Sequence, residues 1–179
     1  KARKVFQELP TRTTVSWNAL IGGYVQHGLG EEALKCFKEM QDLGISPDAV
    51  TYVCTLKACG IVGCLAIGEG IGAEVRKQGL LQNNIMLGTA LVDMYSKCRE
   101  VRKAREVFEH LPRRNVVAWN ALISGYAHQG FNDDVLHYFR QMEAKGVSPD
   151  AVTYGCILKT CSILGCLQIG EGIVEQIRK

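Results

Sequence analysis

The chain has 179 residues, 47% of them hydrophobic, and a net charge of +3. This apolar content suffices for a buried core, and the small positive charge permits a polyanionic partner without requiring one. No apolar run reaches the roughly eighteen residues of a membrane-spanning helix, and no secretory or transit segment stands at the start. These features exclude a membrane span and leave a folded domain as the expectation.

The sequence contains an internal repeat, in which VSWNALIGGY at 15–24 returns as VAWNALISGY at 117–126. PDAVTY and KAR-VF phrases recur at the same offset. A finer period of about 35 residues lies inside the long one and predicts an array of small units. The predicted divisions are the tail of a preceding unit at 1–13 and units at 14–48, 49–84, 85–115, 116–150 and 151–179. Because both chain ends fall inside units, we expect an internal piece of a longer protein.

Each unit has the pattern of two helices. In the unit 14–48 the apolar residues Trp17, Leu20, Ile21 and Tyr24 have helical spacing, and the pattern resumes after Gly28 and Gly30. Gly44 and Pro47 predict the end of the second helix. One such hairpin cannot bury its own apolar face, whereas stacked hairpins can. The sequence therefore predicts an all-α fold, a right-handed α-solenoid with a long concave surface.

Glycines and cysteines recur within the long repeat. Of Gly63, Gly68, Gly70 and Gly72, the first three recur as Gly165, Gly170 and Gly172. They indicate either close helix approach or an irregular second helix. The eight cysteines form no C-x-x-C motif, so we interpret them as apolar residues of helix contacts in a reducing compartment rather than disulfides or zinc ligands.

These patterns resemble the pentatricopeptide repeat. The resemblance rests on two motifs, V-x-[WY]-N-x-L-I at the start of a unit and M-x-x-x-G-[IV]-x-P-D at its end. The phrases LVDMYSKC at 91–98 and LKAC at 56–59 support it. The alternating unit lengths are similar to the plant P-L-S subclass: 1–13 is then the tail of an S unit, 14–48 and 116–150 are P units, 49–84 and the truncated 151–179 are L units, and 85–115 is an S unit. The tetratricopeptide repeat fits less well, because Trp17 does not begin a W-x-x-L-G-x-x-Y motif.

The resemblance implies that the fifth and last residues of a unit together read one base of single-stranded RNA. Asn18 pairs with Asp48 and Asn120 with Asp150, a combination that implies uridine preferred over cytidine. An amide offers both a donor and an acceptor to a base edge, and an aspartate can anchor it through water. In the S unit, Thr89 with Asn115 implies adenine.

Other fifth and last residues depart from this pattern, and the second residues of the units have two interpretations. The weak or non-standard base readers are Val53, Asn84, Gly155 and Thr13. The predicted footprint is therefore 5′-U-n-A-U-n-3′. The second residues of the units would sandwich each base, although packing between units would suit them equally. These second residues are Val15, Val50, Met86, Val117 and Val152.

Basic residues could contact phosphates or lie on a solvated outer helix face. They are Arg76–Lys77, Arg102–Lys103, Arg105, Arg113–Arg114 and Arg178–Lys179. No histidine recurs in frame, and the H-x-E, C-x-x-C, Walker and G-x-S-x-G motifs are missing from the sequence, so we expect no enzyme activity, cofactor or metal.

Two function hypotheses follow from the resemblance. The first is sequence-specific binding of single-stranded RNA, as the target-recognition part of an organellar C-to-U editing factor in a mitochondrion or chloroplast. The second is a protein-binding scaffold whose L units contact multiple organellar RNA editing factors. Roles in RNA stability, splicing or translation stay open beside editing.

Overall fold

The computed structural model describes residues 2–166 and 171–175 of the chain. The described residues are helical, with no strand among them. The helices are α1 Ala2–Gln7, α2 Thr14–Gln26, α3 Gly30–Asp42, α4 Ala49–Val62, α5 Leu65–Lys77, α6 Ile85–Lys97, α7 Val101–Glu109, α8 Val116–His128, α9 Asn132–Ala144 and α10 Ala151–Leu164. Residues 171–175 are also helical. The prediction of an all-α fold is confirmed.

The helices form hairpins that stack in two layers. The first helices of the hairpins, α2, α4, α6, α8 and α10, pack against one another in chain order. Each second helix, α3, α5, α7 or α9, packs on its own first helix and on the next one along. In 2–166 neighbouring second helices meet only through side chains, as where Phe108 of α7 packs on Tyr138 of α9 and Lys103 of α7 pairs with Glu69 of α5. The second-helix layer is therefore the more widely spaced one, which places the first helices on the inner side of the curve.

Aromatic residues join two of the hairpins, those that begin at α2 and α8, to the helix before them. Trp17 of α2 lies edge-to-face on Phe6 of α1, with ring centroids 4.5 Å apart. Trp119 of α8 repeats this contact with Phe108 of α7 at 4.7 Å. Both tryptophans are fully buried, as the helical spacing predicted. Such pairs stabilise by about 0.5–1.5 kcal/mol beyond burial alone, so they hold the hairpins in register.

The glycines do not all have the same role: close helix approach accounts for two of them, and two others end helices. A Cβ at Gly68 would lie 2.6 Å from Met94 Sδ, and one at Gly72 would lie 3.3 Å from Leu91 Cδ2, so these two do mark close helix approach. Gly63 ends α4 with a φ of 72°, and Gly165 ends α10 with a φ of 68°. Left-handed backbone at a helix C-terminus favours glycine because it has no Cβ.

Gly70 and Gly172 show neither of these roles in the described part of the chain. An added Cβ at Gly70 or Gly172 would meet no described atom within 4 Å, and Gly170 lies outside the described residues. Gly30 was expected in the break between helices, but it begins α3 and is buried. A Cβ there would lie 3.0 Å from the carbonyl oxygen of Ala58, so Gly30 permits close packing of α3 on α4.

All eight cysteines are free thiols. Cys36, Cys59 and Cys161 are buried in the core, and the other five are half-buried. Burial raises the pKa of the Cys59 thiol to about 12, which keeps this sulfur in its unreactive protonated form. Cys36, Cys59 and Cys161 therefore act as small apolar packing residues, as the sequence interpretation expected.

Candidate nucleic-acid interface

Asn18 lies on α2, one residue beyond the buried Trp17, and its side chain is half-exposed. Asp48 precedes α4 and is its N-terminal capping residue. Asn18 Nδ2 donates to Asp48 Oδ1 at 2.9 Å and to Oδ2 at 3.1 Å. The structure thus brings together the fifth and last residues of the unit 14–48, which are 30 residues apart in the sequence.

The same arrangement occurs in the second copy of the internal repeat, in the unit 116–150. Asn120 Nδ2 donates to the two carboxylate oxygens of Asp150 at 2.8 and 2.9 Å. Asp150 is the N-terminal cap of α10, as Asp48 is of α4. Asn120 is the more enclosed of the two amides, with 8% of its surface exposed. In both copies the carboxylate touches the amide directly, so the expectation of a bridging water between them is wrong. The distance leaves no room for one.

A third residue completes each pair, and the sequence reasoning missed it. The buried hydroxyl of Thr51 donates to Asn18 Oδ1 at 2.6 Å, and that of Thr153 donates to Asn120 Oδ1 at 2.5 Å. Each threonine is the third residue of the following helix, where it also forms a capping box with the aspartate. The capping-box signature was visible in PDAVT, but the bond to an asparagine in the previous first helix was not.

Both aspartates are held in the ionised state. Partial burial pushes the pKa of Asp48 upward, but hydrogen bonds from the Thr51 backbone N–H, the Asn18 amide and the Thr51 hydroxyl outweigh it and lower the pKa. The pKa of Asp150 is lowered by the corresponding bonds from Thr153 and Asn120, against the same effect of burial. Hydrogen bonds donated to a carboxylate favour its charged form. An ionised carboxylate accepts only, so the bonded end of each amide is its NH₂ group.

The predicted pair Thr89 and Asn115 is not joined in this way. The Asn115 side chain accepts from the Ala118 backbone N–H at 2.9 Å and so caps α8. Thr89 is buried, and its hydroxyl has no hydrogen-bond partner among the described residues. The structure therefore separates these two side chains into a helix cap and an enclosed hydroxyl.

The second residues of the units form an exposed apolar row. Val15 is 75% exposed and Met86 is 67% exposed, and the other members are more than half exposed. Each is the second residue of a first helix, so all lie on the layer opposite to α3, α5, α7 and α9. Packing between units would have buried them, so that alternative is not supported. The complete row is Val15, Val50, Met86, Val117 and Val152.

The weak code positions have different surroundings. Val53 is buried in α4, with 7% of its surface exposed, whereas Gly155 is exposed on α10. Asn84 accepts from the Leu87 backbone N–H at 3.2 Å and caps α6. Thr13 caps α2 through the Ser16 backbone N–H. None of the four is hydrogen-bonded to another predicted code residue within the described part of the chain.

The basic residues that were considered as phosphate contacts lie on the second helices or their connections. Lys103 is paired with Glu69, and Arg105 donates to Glu109 at 2.7 Å. Arg114 donates to two backbone carbonyls and lies over the Phe108 ring at 5.1 Å. These bonds support the interpretation as an outer helix face. Arg178–Lys179 lie outside the described residues.

Neither a metal-binding cluster nor a membrane-spanning helix occurs among the described residues. No group of three or more histidine, cysteine, aspartate or glutamate side chains is placed there to hold a metal ion. None of the helices in this part of the chain has the length and apolarity needed to cross a membrane.

Comparison with known sequences gives consistent matches. The sequence model described as the PPR repeat family matches residues 12–60 and 114–162, and that described as the PPR repeat matches 89–116. The pentatricopeptide repeat-containing protein At4g30700 of Arabidopsis thaliana is 40% identical over 176 residues, covering 98% of this chain and 22% of that protein. The pentatricopeptide repeat-containing protein At4g18520, chloroplastic, from the same plant is 37% identical over 177 residues. That match covers 99% of this chain and 28% of that protein.

Two solved structures share the fold. The pentatricopeptide repeat protein PPR10, in complex with an 18-nt psaJ RNA element, has a TM-score of 0.78 and 16% identity. The match covers 96% of this chain and 26% of that one. The PPR domain of Arabidopsis thaliana protein-only RNase P 1, in complex with tRNA, has a TM-score of 0.70 and 14% identity, covering 89% and 86%. Both are stacks of helical hairpins, and the prediction of an α-solenoid is confirmed.

Proposed function

Because this chain belongs to the pentatricopeptide repeat family, we propose that it binds single-stranded RNA, with one base read by each unit. The proposed units are 14–48, 49–84, 85–115, 116–150 and 151–179, with 1–13 as the tail of a preceding unit. Two proteins with this fold have been solved in complex with RNA, PPR10 with an 18-nt RNA element and the PPR domain of protein-only RNase P 1 with tRNA. The chain spans 22% to 35% of the first relatives it matches, so the activity of the whole protein is a proposal.

The observation that carries the proposal is the Asn–Asp contact, which occurs in two units with the same hydrogen bonds. Asn18 and Asn120 each use one N–H and one carbonyl lone pair inside the protein. A primary amide has two N–H groups and two lone pairs, so one donor and one acceptor remain for a base edge. Under the family's base code, Asn with Asp reads uridine before cytidine, and we propose this for both units.

The exposed apolar row supports the placement of the bases. Val15 and Val50 lie on successive first helices, and Val117 and Val152 do the same in the second copy. We propose that a base inserts between neighbouring members of the row, where its faces leave water and its edge meets the asparagine. Met86 would complete this series at the S unit.

The footprint that follows is 5′-U-n-A-U-n-3′. Its adenine depends on Thr89 and Asn115, and the enclosed Thr89 hydroxyl makes this the weakest of the three assigned bases. The unassigned positions belong to the units of Val53 and Gly155, which offer no hydrogen-bonding side chain to a base. We propose that these units space the RNA rather than read it.

We further propose that the protein acts in an organelle as the recognition part of a C-to-U editing factor. The P-L-S lengths of the units support the editing role, and relatives whose names read chloroplastic or mitochondrial support the location. The matched segments are repeats, and the likeness to protein-only RNase P 1 is to its PPR domain, so we propose binding rather than catalysis for this chain.

A second candidate function is a scaffold that binds multiple organellar RNA editing factors through its L units. A cleft of about 610 Å³ between α3 and α5 favours it, because the half-buried apolar side chains of Leu34 and Ile67 line the cleft. Val53 does not line this cleft. This cleft lies on the second-helix side, so it leaves the proposed RNA surface free and both functions can hold together.

Fluorescence anisotropy at fixed low salt tests the RNA proposal. A labelled RNA that contains U-n-A-U is compared with a scrambled RNA of the same composition. We expect tighter binding of the first RNA by the wild-type chain. Equal affinity for both RNAs would refute base reading, and no binding of either would favour the scaffold.

A further inference from the structure

Thr51 and Thr153 are the third residues of their units, a position that the family's base code does not use. Each is fully buried, and each hydroxyl reaches back 33 residues to the carbonyl oxygen of an asparagine. We propose that these threonines are positioning residues that fix the polarity of the Asn18 and Asn120 amides and so set the preference between the two pyrimidines. This inference rests on the proposed function of the asparagines as base readers.

The direction of the amide follows from what each neighbour can donate or accept. The ionised Asp48 accepts only, so it takes the NH₂ end of Asn18 at 2.9 and 3.1 Å. The Thr51 hydroxyl accepts the Asp48 backbone N–H at 3.1 Å, so its own proton is free to donate elsewhere. Its closest acceptor is Asn18 Oδ1 at 2.6 Å, nearer than Asp48 Oδ1 at 2.9 Å. The amide is therefore held at both ends.

A reversed amide would lose its bonds to Asp48 and would force the Thr51 hydroxyl to change partners. Its carbonyl oxygen would face the Asp48 carboxylate, where two acceptors repel each other, and its NH₂ group would face the Thr51 hydroxyl, which would have to turn its proton to Asp48 Oδ1 in order to accept. Loss of one bond with a buried partner weakens an interaction by about threefold to tenfold, and a bond to a charged group by more. The aspartate would oppose reversal of the amide even without the threonine. The threonine adds a second restraint, which also stops the amide from tilting away from the groove.

A fixed amide distinguishes uridine from cytidine because their edges have opposite order. Uridine presents the O4 acceptor beside the N3–H donor, whereas cytidine presents the N4 amino donor beside the N3 acceptor. Because the Asn18 amide is fixed, its free N–H donor and its free lone pair cannot exchange places. They therefore match only one of these two base edges. An amide that turns or tilts would tolerate both pyrimidines.

The sequence places this threonine only behind the Asn–Asp units. The third residue of the following unit is Thr51 after Asp48 and Thr153 after Asp150, but Leu87 after Asn84. After Asn115 it is Ala118. At α2, Ser16 forms the same capping box with Thr13, but its hydroxyl donates to the Thr13 carbonyl at 2.8 Å, within its own turn. Capping therefore needs only a local hydroxyl, and the reach to an asparagine is specific to Thr51 and Thr153.

The double variant Thr51→Val and Thr153→Val tests the proposal in the full 179-residue chain. The readout is the ratio of Kd for RNA with cytidine at both assigned uridine positions to Kd for RNA with uridine there. We expect this ratio to fall by about threefold to tenfold for each unit. The double variant Thr51→Ser and Thr153→Ser keeps the hydroxyls and should retain the wild-type ratio.

Ser16→Ala is the matched control, because it removes a capping box that touches no asparagine of the code. It should lower stability and leave the pyrimidine ratio unchanged. If the Val variant behaves like Ser16→Ala, with lower stability and an unchanged ratio, the threonines are caps only and the proposal is overturned. A wild-type chain without any pyrimidine preference would overturn the proposed function itself.

NMR of the side-chain amides tests the positioning without RNA. In the wild type we expect the Nδ2 proton that faces the aspartate, in Asn18 and in Asn120, to exchange slowly with water, because the bonds from both sides hold the amide. In the Val variant these protons should exchange faster and shift, while the amides of Asn132 and Asn84 stay the same. Unchanged Asn18 and Asn120 resonances would overturn the positioning role, whatever the RNA result.

Discussion

Asp150 accepts the amide of Asn120 at 2.8 and 2.9 Å while the same carboxylate accepts the Thr153 backbone N–H at 3.0 Å. One side chain thus begins a helix and holds the proposed base reader of the previous unit. The folding of α10 and the geometry of the proposed RNA surface therefore depend on the same ionised group. Asp48 has this double role at α4.

Acid should weaken the fold through these two aspartates. Their pKa values are lowered by hydrogen bonds in the folded chain, so the unfolded chain takes up the protons at a higher pH. The stability that they contribute is present above the ordinary aspartate pKa of 3.8 and is lost as the pH falls through the lower folded values. Urea unfolding measured between pH 6 and pH 2.5, chosen to span about this range, should show the loss.

The double variant Asp48→Asn and Asp150→Asn isolates this effect, because asparagine also caps helices well. Its stability should depend less on pH than that of the wild type below about pH 4. Parallel curves for the variant and the wild type would show that other carboxylates cause the acid loss.

Two equivalent glycines should respond to alanine in opposite directions. A Cβ at Gly125 would lie 2.7 Å from the Ser96 side chain and 3.3 Å from Ser96 Cα, whereas one at Gly23 would meet no described atom within 4 Å. We expect Gly125→Ala to destabilise by about 1–3 kcal/mol, because α8 must move away from α6. Gly23→Ala should stabilise by about 0.5–1 kcal/mol, because alanine favours the helix. Denaturant midpoints check both, and a shift of the same sign would contradict the packing.

Arg99 should be replaceable by glycine with a gain in stability. Its φ is 62°, in the left-handed region, at the turn between α6 and α7. Glycine has the corresponding role after α2 and α8, where Gly28 and Gly130 have φ values of 72° and 77°. Arg99→Gly should raise the free energy of unfolding by about 1 kcal/mol, since the left-handed backbone costs other residues roughly 1–2 kcal/mol. Gly130→Arg is the reciprocal variant and should lower it.

The apolar row should matter for RNA and not for stability. Val50 and Val117 are more than half exposed on first helices, so Val→Ser at both should change the free energy of unfolding by less than about 0.5 kcal/mol. RNA affinity should fall by about threefold to tenfold for each site, because apolar contact with a base is lost. Val5→Ser is the matched control, since Val5 is also exposed but lies on α1, outside the first-helix layer. Equal losses for Val5 and Val117 would contradict the assigned surface.

Much of the fold could be predicted from local patterns. Trp17, Leu20 and Ile21 fall on one face because helical spacing does not depend on the rest of the chain, and the structure buries all three. Gly63 and Gly68 could not be told apart, because one has a positive φ and the other a close neighbour, and neither property is visible in a sequence. The direct Asn18–Asp48 bond and the reach of Thr51 also depend on how two hairpins stack.

The central claim is that Asn18 and Asn120 read bases, and one exchange of bases tests it most directly. Under the family's base code, threonine with aspartate prefers guanosine, so the double variant Asn18→Thr and Asn120→Thr keeps Asp48 and Asp150 and changes only the fifth residues. Anisotropy at fixed salt compares RNA with uridine at the two assigned positions and RNA with guanosine there. We predict that the wild type prefers the uridine RNA and the variant prefers the guanosine RNA. The same preference in both proteins would contradict the claim.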